Sequence, residues 1–512
     1  MRTLFKKFFG KAWVKAVFLG MATVFALPPY FFVPAVFFGF AGLMRLLDRS
    51  EGLKDAVGIG AGFGFGYFGF GLAWVSQAML IDGMGYGAMA PLPPLGFGLW
   101  GAMFPATACF AARLAPAGAR RALTLAGAWI LTEMLRGVLF TGFPWNPIGS
   151  VWTAFPAMTQ TASLFGVYGL SGATVFCASL FAFAGKPLRR RQNLLPLLSA
   201  VLLIAAAIYG GIRLKHADNT FVRGVNFRLV QANIPQGVKW NRDAAERNLM
   251  KHVRLSRQGD ADRITHVLWP ETATAFFLLQ DSFARGMITS ALTQGSILLA
   301  GSLRSERAEG ETPPYKLYNS IIAANDLGIE LGHYDKAHLV PFGEYAPLTD
   351  YLPFIRRLVP GNTDFSVGKG VHTSIIPRTV PVGFLVCYEV IFPGRVADKQ
   401  VRPYWLMNAT NDGWYGVSAG PYQHLAAAQM RSVEEGLPLA RVANTGISAM
   451  IDAYGRIIAS LPLNKEGVLD VGLPRRTEKT TFYGTYGNTV PLILGLVSVM
   501  MGLIRKRRKK TC

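Results

Sequence analysis

Charge is scarce in this chain of 512 residues. Only 16% of it is Asp, Glu, Lys or Arg and 51% is hydrophobic, whereas a soluble domain carries about 25% charge. Acid is the scarcer sign: 30 Asp and Glu stand against 52 Lys and Arg, a formal charge of +22. With a mean hydropathy of +0.29, this composition excludes a disordered chain, a collagen-like repeat and a simple single-domain soluble enzyme. Cysteine is nearly absent. Cys109, Cys177, Cys387 and Cys512 are too dispersed to form a disulfide framework, and the seven histidines are scattered away from them. The sequence therefore predicts no metal site, and nothing in it supports a nucleotide, flavin or other cofactor.

Long apolar runs are abundant. A helix needs about 20 apolar residues to cross a bilayer. Seven such runs precede residue 215, at about 12–28, 30–47, 55–79, 92–112, 121–141, 158–184 and 193–212, and an eighth lies at about 487–504. The first two are split by Pro28-Pro29-Tyr30, which cannot continue a helix and reads as a tight hairpin. The basic N-terminus (Arg2, Lys6, Lys7, Lys11, Lys15) precedes an uncleaved first helix, because no small-residue cleavage site follows it.

Lys and Arg are missing from two loops, 80–91 and 142–157. They cluster instead in alternate ones: Arg45, Arg49 and Lys54; Arg113, Arg120 and Arg121; Lys186, Arg189, Arg190 and Arg191; and the tail Arg505 to Lys510. This is the positive-inside pattern. It predicts a membrane-embedded, multi-pass protein with both termini cytoplasmic and the segment between the seventh and eighth helices outside. The excess positive charge then has a topological reason, and no nucleic-acid partner is expected. The glycine-rich run 58–71 sits inside an apolar span with no preceding strand. It reads as close helix packing rather than a phosphate loop.

Residues 220–475 have a different texture. Short β-rich runs (Phe227–Ala232, Thr265–Trp269, Ser296–Ala300, Ser320–Ala324, Val382–Val386 and Tyr404–Met407) alternate with polar stretches, of which 241–257 and 422–437 look helical. That alternation argues for a layered α/β domain. The expected organisation is a membrane bundle of about seven helices at 1–215, an extracytoplasmic α/β domain at 220–475, and a C-terminal membrane helix with a basic tail at 485–512.

Three stretches of the α/β segment carry chemistry. Leu268-Trp269-Pro270-Glu271 puts a carboxylate at the end of an apolar strand, where α/β enzymes place catalytic groups. Tyr334 to Glu344 holds Lys336, His338 and Glu344 around an apolar turn, and Val382 to Glu389 ends a strand on Cys387, the one cysteine of this segment. Read singly, each has a plain structural explanation: a strand cap, a solvated loop, a buried thiol. Together they supply a thiol nucleophile, a carboxylate to take its proton, and a cation for a tetrahedral oxyanion.

The order Trp-Pro-Glu, Lys-x-His-Leu-Val-Pro-Phe-Gly-Glu and Cys-Tyr-Glu resembles the nitrilase, or carbon–nitrogen hydrolase, superfamily with its Glu-Lys-Cys triad. The whole chain, helices included, is similar to the apolipoprotein N-acyltransferase family within it. Further matching stretches are 141–145, 231–236, 411–416 and 441–448. The resemblance implies an αββα sandwich for the α/β domain. It implies Cys387 as nucleophile, Glu271 as general base, Lys336 as oxyanion stabiliser and Glu344 as support for the lysine and the bound substrate. For substrate binding it implies Tyr388 and Glu389 after the nucleophile, and Trp240 on a mobile arm. Trp145, in a loop on the outer side, suits the membrane interface and a wall of the acyl-chain access path.

The implied partners are a phospholipid acyl donor and a diacylglyceryl lipoprotein acceptor, in the bacterial cytoplasmic membrane with the α/β domain on the periplasmic side. The triad by itself also fits a membrane-anchored amidase or nitrilase-type hydrolase. A third reading is a transporter with a dead outer domain, for which Glu133 and Arg136 in the fifth span, at pairing distance on a helix, are the main ionisable candidates.

Overall fold

The computed structural model describes residues 11–81, 85–184, 194–310, 314–347 and 364–504. The basic clusters at Arg2 to Lys7, Lys186 to Arg191 and Arg505 to Lys510 lie outside them. The chain divides into two compact units: Met1–Leu80, Met84–His216 and Thr481–Cys512 form one, and Ile81–Gly83 with Ala217–Thr480 form the other.

The first unit is helical. Its long helices are α1 (Ala12–Thr23), α2 (Pro34–Asp48), α3 (Leu53–Gly71), α4 (Leu92–Leu114), α5 (Ala119–Arg136), α6 (Ala162–Leu180), α7 (Leu195–Lys215) and a C-terminal helix, Thr489–Leu503. Among the described residues, three segments are long and apolar enough to cross a membrane: Gly87–Leu114, Ala162–Phe183 and Leu195–Lys215. A fourth joins them if α3 and the bent helix Ala73–Leu80 are one broken span. The other apolar runs yield shorter helices. The 15 residues of the C-terminal helix rise only about 22 Å. Helix α5 carries Arg120, Arg121, Glu133 and Arg136, too many charges for a simple span.

The glycine-rich run is the inside of α3, and its alternate glycines face two neighbours. A methyl on Gly62 would lie 2.3 Å from the Trp13 carbonyl oxygen, and one on Gly66 2.1 Å from that of Val17, both on α1. Gly60 and Gly64 would meet α4 at 2.5 Å from the Pro105 oxygen and 2.8 Å from Ala102 Cα. Gly58 meets nothing. The spacing of four thus serves two helix faces at once, and backbone contact replaces side-chain interdigitation. Helix α7 is the opposite case. Leu197, Val201, Ile204, Ile208 and Ile212 are all exposed, an apolar face that water would not tolerate at this length.

Glu133 and Arg136 on α5 are both buried and grip the segment that follows. Glu133 Oε1 accepts from Trp129 Nε1 and from the Ile148 N–H, each at 2.9 Å. Arg136 donates to the carbonyls of Phe143 and Trp145 at 2.6 Å. Trp145 is buried between Trp74 and Phe143, with ring centroids 4.9 and 5.8 Å away, so its ring is packed inside the helical unit and not presented as an interface anchor.

The second unit has two six-stranded sheets. One holds β1 (Phe221–Gln231), β2 (His266–Trp269), β3 (Ile297–Arg307), β4 (Tyr315–Asn325), β5 (Glu330–Asp335) and β12 (Gly467–Pro474), in the order β12-β1-β2-β3-β4-β5. The other holds β6 (Thr373–Ser374), β7 (Val382–Val386), β8 (Trp405–Thr410), β9 (Leu439–Ala443), β10 (Ser448–Ile451) and β11 (Ile457–Leu461), in the order β11-β10-β9-β8-β7-β6. In each sheet the three central strands, β1-β2-β3 and β7-β8-β9, run parallel and the flanking ones antiparallel.

Period-two alternation builds the layers. Phe227, Leu229, Leu268, Ile297 and Leu299 of one sheet face Val382, Phe384, Trp405, Met407, Ala440 and Val442 of the other. The alternate residues Val230, Val267, Trp269, Leu298 and Ala300 turn outward, onto Leu249 and Leu255 of α8 (Arg242–Ser256) and Ala284 and Ile288 of α9 (Ser282–Ala291). Asn241 and Asp281 cap these helices, accepting from the N–H of Asp243 and of Ala284 at 2.8 Å. On the far side, Arg441 of β9 reaches His424 of α10 (Gly420–Glu435), which covers the second sheet. The result is helix, sheet, sheet, helix, as the resemblance implies. Each short strand read from the sequence is present. Helix α9, the central strand β9 and the flanking strands β5, β6 and β10 to β12 are additional.

Trp405 is fully buried against Phe227, with ring centroids 4.6 Å apart, at the centre of the inter-sheet core. Trp405→Ala is expected to cost about 3–5 kcal/mol. A thermal melt of the detergent-solubilised protein should show the loss, and an unchanged melting curve would contradict this placement of the core.

Candidate active site

Strand direction brings the polar residues together. Strand β5 is antiparallel to β4, which is antiparallel to β3, so β5 runs the same way as β2. Glu271 and Lys336, just past the ends of β2 and β5, therefore emerge at one edge of the first sheet. Cys387 follows the last residue of β7 in the second sheet, and the residue ending β8, Thr410, reaches it: Thr410 Oγ1 lies 3.2 Å from Cys387 Sγ.

Lys336 is buried and ringed by acid. Its Nζ is 2.8 Å from Glu344 Oε2 and 3.6 Å from Glu271 Oε1. Asn319 of β4 ties the two carboxylates together, donating through Nδ2 to Glu271 Oε1 and Glu344 Oε1, both at 2.8 Å. The Val340 N–H donates to Glu344 Oε2 at 2.8 Å, which fixes the loop bearing that glutamate. Burial works against the lysine charge, but Glu344 and Glu271 outweigh it and hold the pKa above the ordinary lysine value. Burial also pushes the Cys387 thiol up to about 12, with Glu271 adding to the shift and Lys336 opposing it. The resting cysteine is thus a protonated thiol that needs a base.

Cys387 has φ +50°, a left-handed conformation that a non-glycine residue adopts at a cost of about 1–3 kcal/mol. Three anchors impose it. Glu389 Oε2 accepts from the Val386 N–H at 2.7 Å. The Cys387 carbonyl accepts from Asn408 Nδ2 at 3.3 Å and from His424 Nε2 at 3.1 Å. Asp412 and Arg441 complete the support: His424 Nδ1 lies 2.8 Å from Asp412 Oδ1, and Arg441 donates to Asp412 Oδ2 and to Asn408 Oδ1 at 2.6 Å each. Although burial opposes it, the Arg441 guanidinium and the hydrogen bonds with His424 and Arg441 hold the Asp412 carboxyl down to about 2.

The structure brings together Glu271, Lys336, Glu344 and Cys387. Glu389 is adjacent but its carboxylate is occupied. Oε1 accepts from Tyr334 Oη at 2.9 Å and from the N–H groups of Ala337 and His338 at 2.8 and 3.0 Å. It therefore clamps the lysine loop to the cysteine turn. Tyr388 is buried, packing on His338 and Phe392. Trp240 is 44% exposed. Trp145 belongs to the other unit. Sequence reasoning missed Asn319, Thr410 and the Asn408–Asp412–His424–Arg441 support. A weak signal existed for Asn319: a lone amide inside an apolar strand asks for a partner.

Comparison with known proteins agrees with both halves of the chain. The family described as "Apolipoprotein N-acyltransferase N-terminal domain" matches residues 19–180, and "Carbon-nitrogen hydrolase" matches residues 227–481. The protein of Rhodopseudomonas palustris named apolipoprotein N-acyltransferase is 38% identical across 96% of this chain and 95% of its own length. That of Bradyrhizobium diazoefficiens is 38% identical across 97% and 95%. The chain belongs to the apolipoprotein N-acyltransferase family. Among this family's relatives, the Caulobacter vibrioides protein is 37% identical across 94% of this chain and 92% of its own. Solved structures similar to part of this family member include an amidase from Nesterenkonia sp., 19% identical over 50% of this chain and 93% of that one with a TM-score of 0.34. A carbon-nitrogen hydrolase from Helicobacter pylori G27 is 15% identical over 56% and 95%, with a TM-score of 0.36.

Asn319→Leu keeps the volume and removes the donor shared by two buried carboxylates. It is expected to lower stability by about 2–3 kcal/mol. A melt of the variant that superimposes on the unaltered protein would mean that the bridge is not made in solution.

Proposed function

We propose that this protein moves an acyl chain from a phospholipid to the α-amine of the diacylglyceryl-cysteine of a lipoprotein, through a thioester on Cys387. What carries the reading is one conjunction: a Glu271–Lys336–Glu344 cluster beside a cysteine at a strand end, in a chain whose relatives named apolipoprotein N-acyltransferase match it nearly end to end. A hydrolase could use the same groups with water as acceptor. The match of residues 19–180 to an N-acyltransferase domain favours the amine.

In the first half-reaction Glu271 takes the thiol proton, and the sulfur attacks the carbonyl carbon of the sn-1 ester. The tetrahedral oxyanion is met by the Lys336 ammonium and the backbone N–H of Tyr388. Collapse breaks the bond to the glycerol oxygen, which recovers the proton from Glu271 and leaves as a lysophospholipid. The thioester stays on Cys387. In the second half-reaction Glu271 deprotonates the lipoprotein amine, which attacks the thioester. The thiolate departs as the amide forms and is reprotonated. The donor product leaves before the acceptor reacts, a ping-pong order. Glu344 and Asn319 hold Lys336 and Glu271, and Glu389 fixes the turn. We assign Trp240, partly exposed beside the buried Lys239, to cover the bound acyl group and keep water from the thioester.

Both substrates are anchored in a bilayer, and holding the site at its surface raises their effective concentration. We assign residues 1–215 and 485–512 to the bacterial cytoplasmic membrane as eight spanning elements, with both termini cytoplasmic and the catalytic domain, 220–475, periplasmic. The short helices serve as spans by tilting their neighbours and thinning the bilayer locally.

Incubation of the purified protein with phospholipid in detergent should add the mass of one fatty acyl group, removable by hydroxylamine. Cys387→Ala should gain nothing. An unmodified, verifiably folded protein would remove phospholipid as donor. For the topology, an alkaline phosphatase fused after His216 should be active and one fused after Cys512 inactive; the reverse pattern would invert the assignment.

A further inference from the structure

Lys239 has no part in the chemistry described so far, yet it is 2% exposed beside it. It ends the short helix Gln236–Lys239, a turn fastened to the loop after β8 by a 2.7 Å hydrogen bond from Asn411 Nδ2 to Gln236 Oε1. Its Nζ donates to the backbone carbonyl of Glu271 at 3.0 Å and sits 5.9 Å from the Trp240 ring. An ammonium has three donors, and among the described residues no carboxylate lies within ion-pair distance of this one. A buried charge without a counter-ion is costly and is normally lost to a neutral side chain.

The charges of the site give it a use. Lys336 is engaged by Glu344 and Glu271, and Asp412 by Arg441. The cluster Glu271, Glu344 and Lys336 is therefore short of one positive charge, before any thiolate forms. Among the described residues, the titratable groups that act on Cys387 or Lys239 include Glu271 after β2, Lys336 after β5, Asp412 and Tyr415 after β8, and His252 on α8; Glu344 acts on Lys336.

We propose that Lys239 is a positioning residue of this site: it tethers the backbone that carries Glu271 and supplies the positive charge that stabilises the Cys387 thiolate. Burial lowers its pKa to about 8, with Glu271 and Cys387 opposing the shift, so the charge is present at neutral pH and is shed in mild alkali. The inference rests on Cys387 being the nucleophile, but not on which ester it attacks.

The test is the rate at which iodoacetamide alkylates Cys387 in the full-length protein, read by peptide mass spectrometry so that Cys109, Cys177 and Cys512 are scored separately. One nearby charge moves a thiol by about one pKa unit or more, which is about tenfold in thiolate at fixed pH. Lys239→Met and Lys239→Gln should both react about tenfold more slowly near pH 7, and Lys239→Arg should recover most of the rate. Gln can still donate to the Glu271 carbonyl, so its deficit isolates the charge from the tether. The gap between the unaltered protein and Lys239→Gln should close above pH 8, where the lysine loses its charge. Equal rates for these two across the whole pH range, with both proteins folded by thermal melt, would overturn the proposal. A Cys387 that stays unreactive in the unaltered protein would instead sink the nucleophile assignment, and this proposal with it.

Discussion

A lysine ammonium enclosed by two carboxylates is the interaction on which the second unit depends. Lys336 is 1% exposed, and its charge is tolerable only because Glu344 and Glu271 stand at 2.8 and 3.6 Å. Those carboxylates are tolerable in turn because Asn319 and the Val340 N–H satisfy their oxygens. No member can be removed alone without stranding a buried charge. The two sheets must then meet in one register, since β2, β4 and β5 each contribute a member and β7 brings the thiol alongside.

The thiol turn is held by a similar logic at its other side. Its left-handed cysteine is strained, and the strain persists because Glu389 holds the Val386 N–H while Asn408 and His424 both hold the Cys387 carbonyl. Glu389 also binds the loop after Lys336, so the Cys387 turn and the Lys336 loop are held by one carboxylate. Such over-determined geometry costs stability and returns preorganisation: the groups need not move when charge develops.

The helical unit solves a different problem. Lipid offers no hydrophobic drive for one apolar helix to join another, so contact has to come from close backbone approach. Gly60, Gly62, Gly64 and Gly66 let α3 touch α1 and α4 on two faces. The buried Glu133 and Arg136 lock the connection after α5 by binding its backbone groups. A unit held this way can leave a whole helix face, that of α7, apolar and exposed.

Much of this was written in the sequence by itself. Scarce charge, apolar runs and the alternation of basic loops determined a membrane protein with a separate α/β segment. Strand-ending Glu271, Lys336 and Cys387 marked the chemistry, because motifs at strand ends are local and survive without knowledge of their neighbours. Helix lengths were less legible, since hydropathy registers the break at Pro28-Pro29 but not the bend near Leu72. The resemblance implied Glu389 for substrate binding, and the fold also turns its carboxylate onto four protein donors. Asn319, Lys239 and His424 lie 68, 148 and 37 residues from Cys387. No local pattern links residues so far apart. Their meeting was decided by tertiary structure, where two sheets pack face to face and each buried polar group must find its partner in whatever strand the packing brings near.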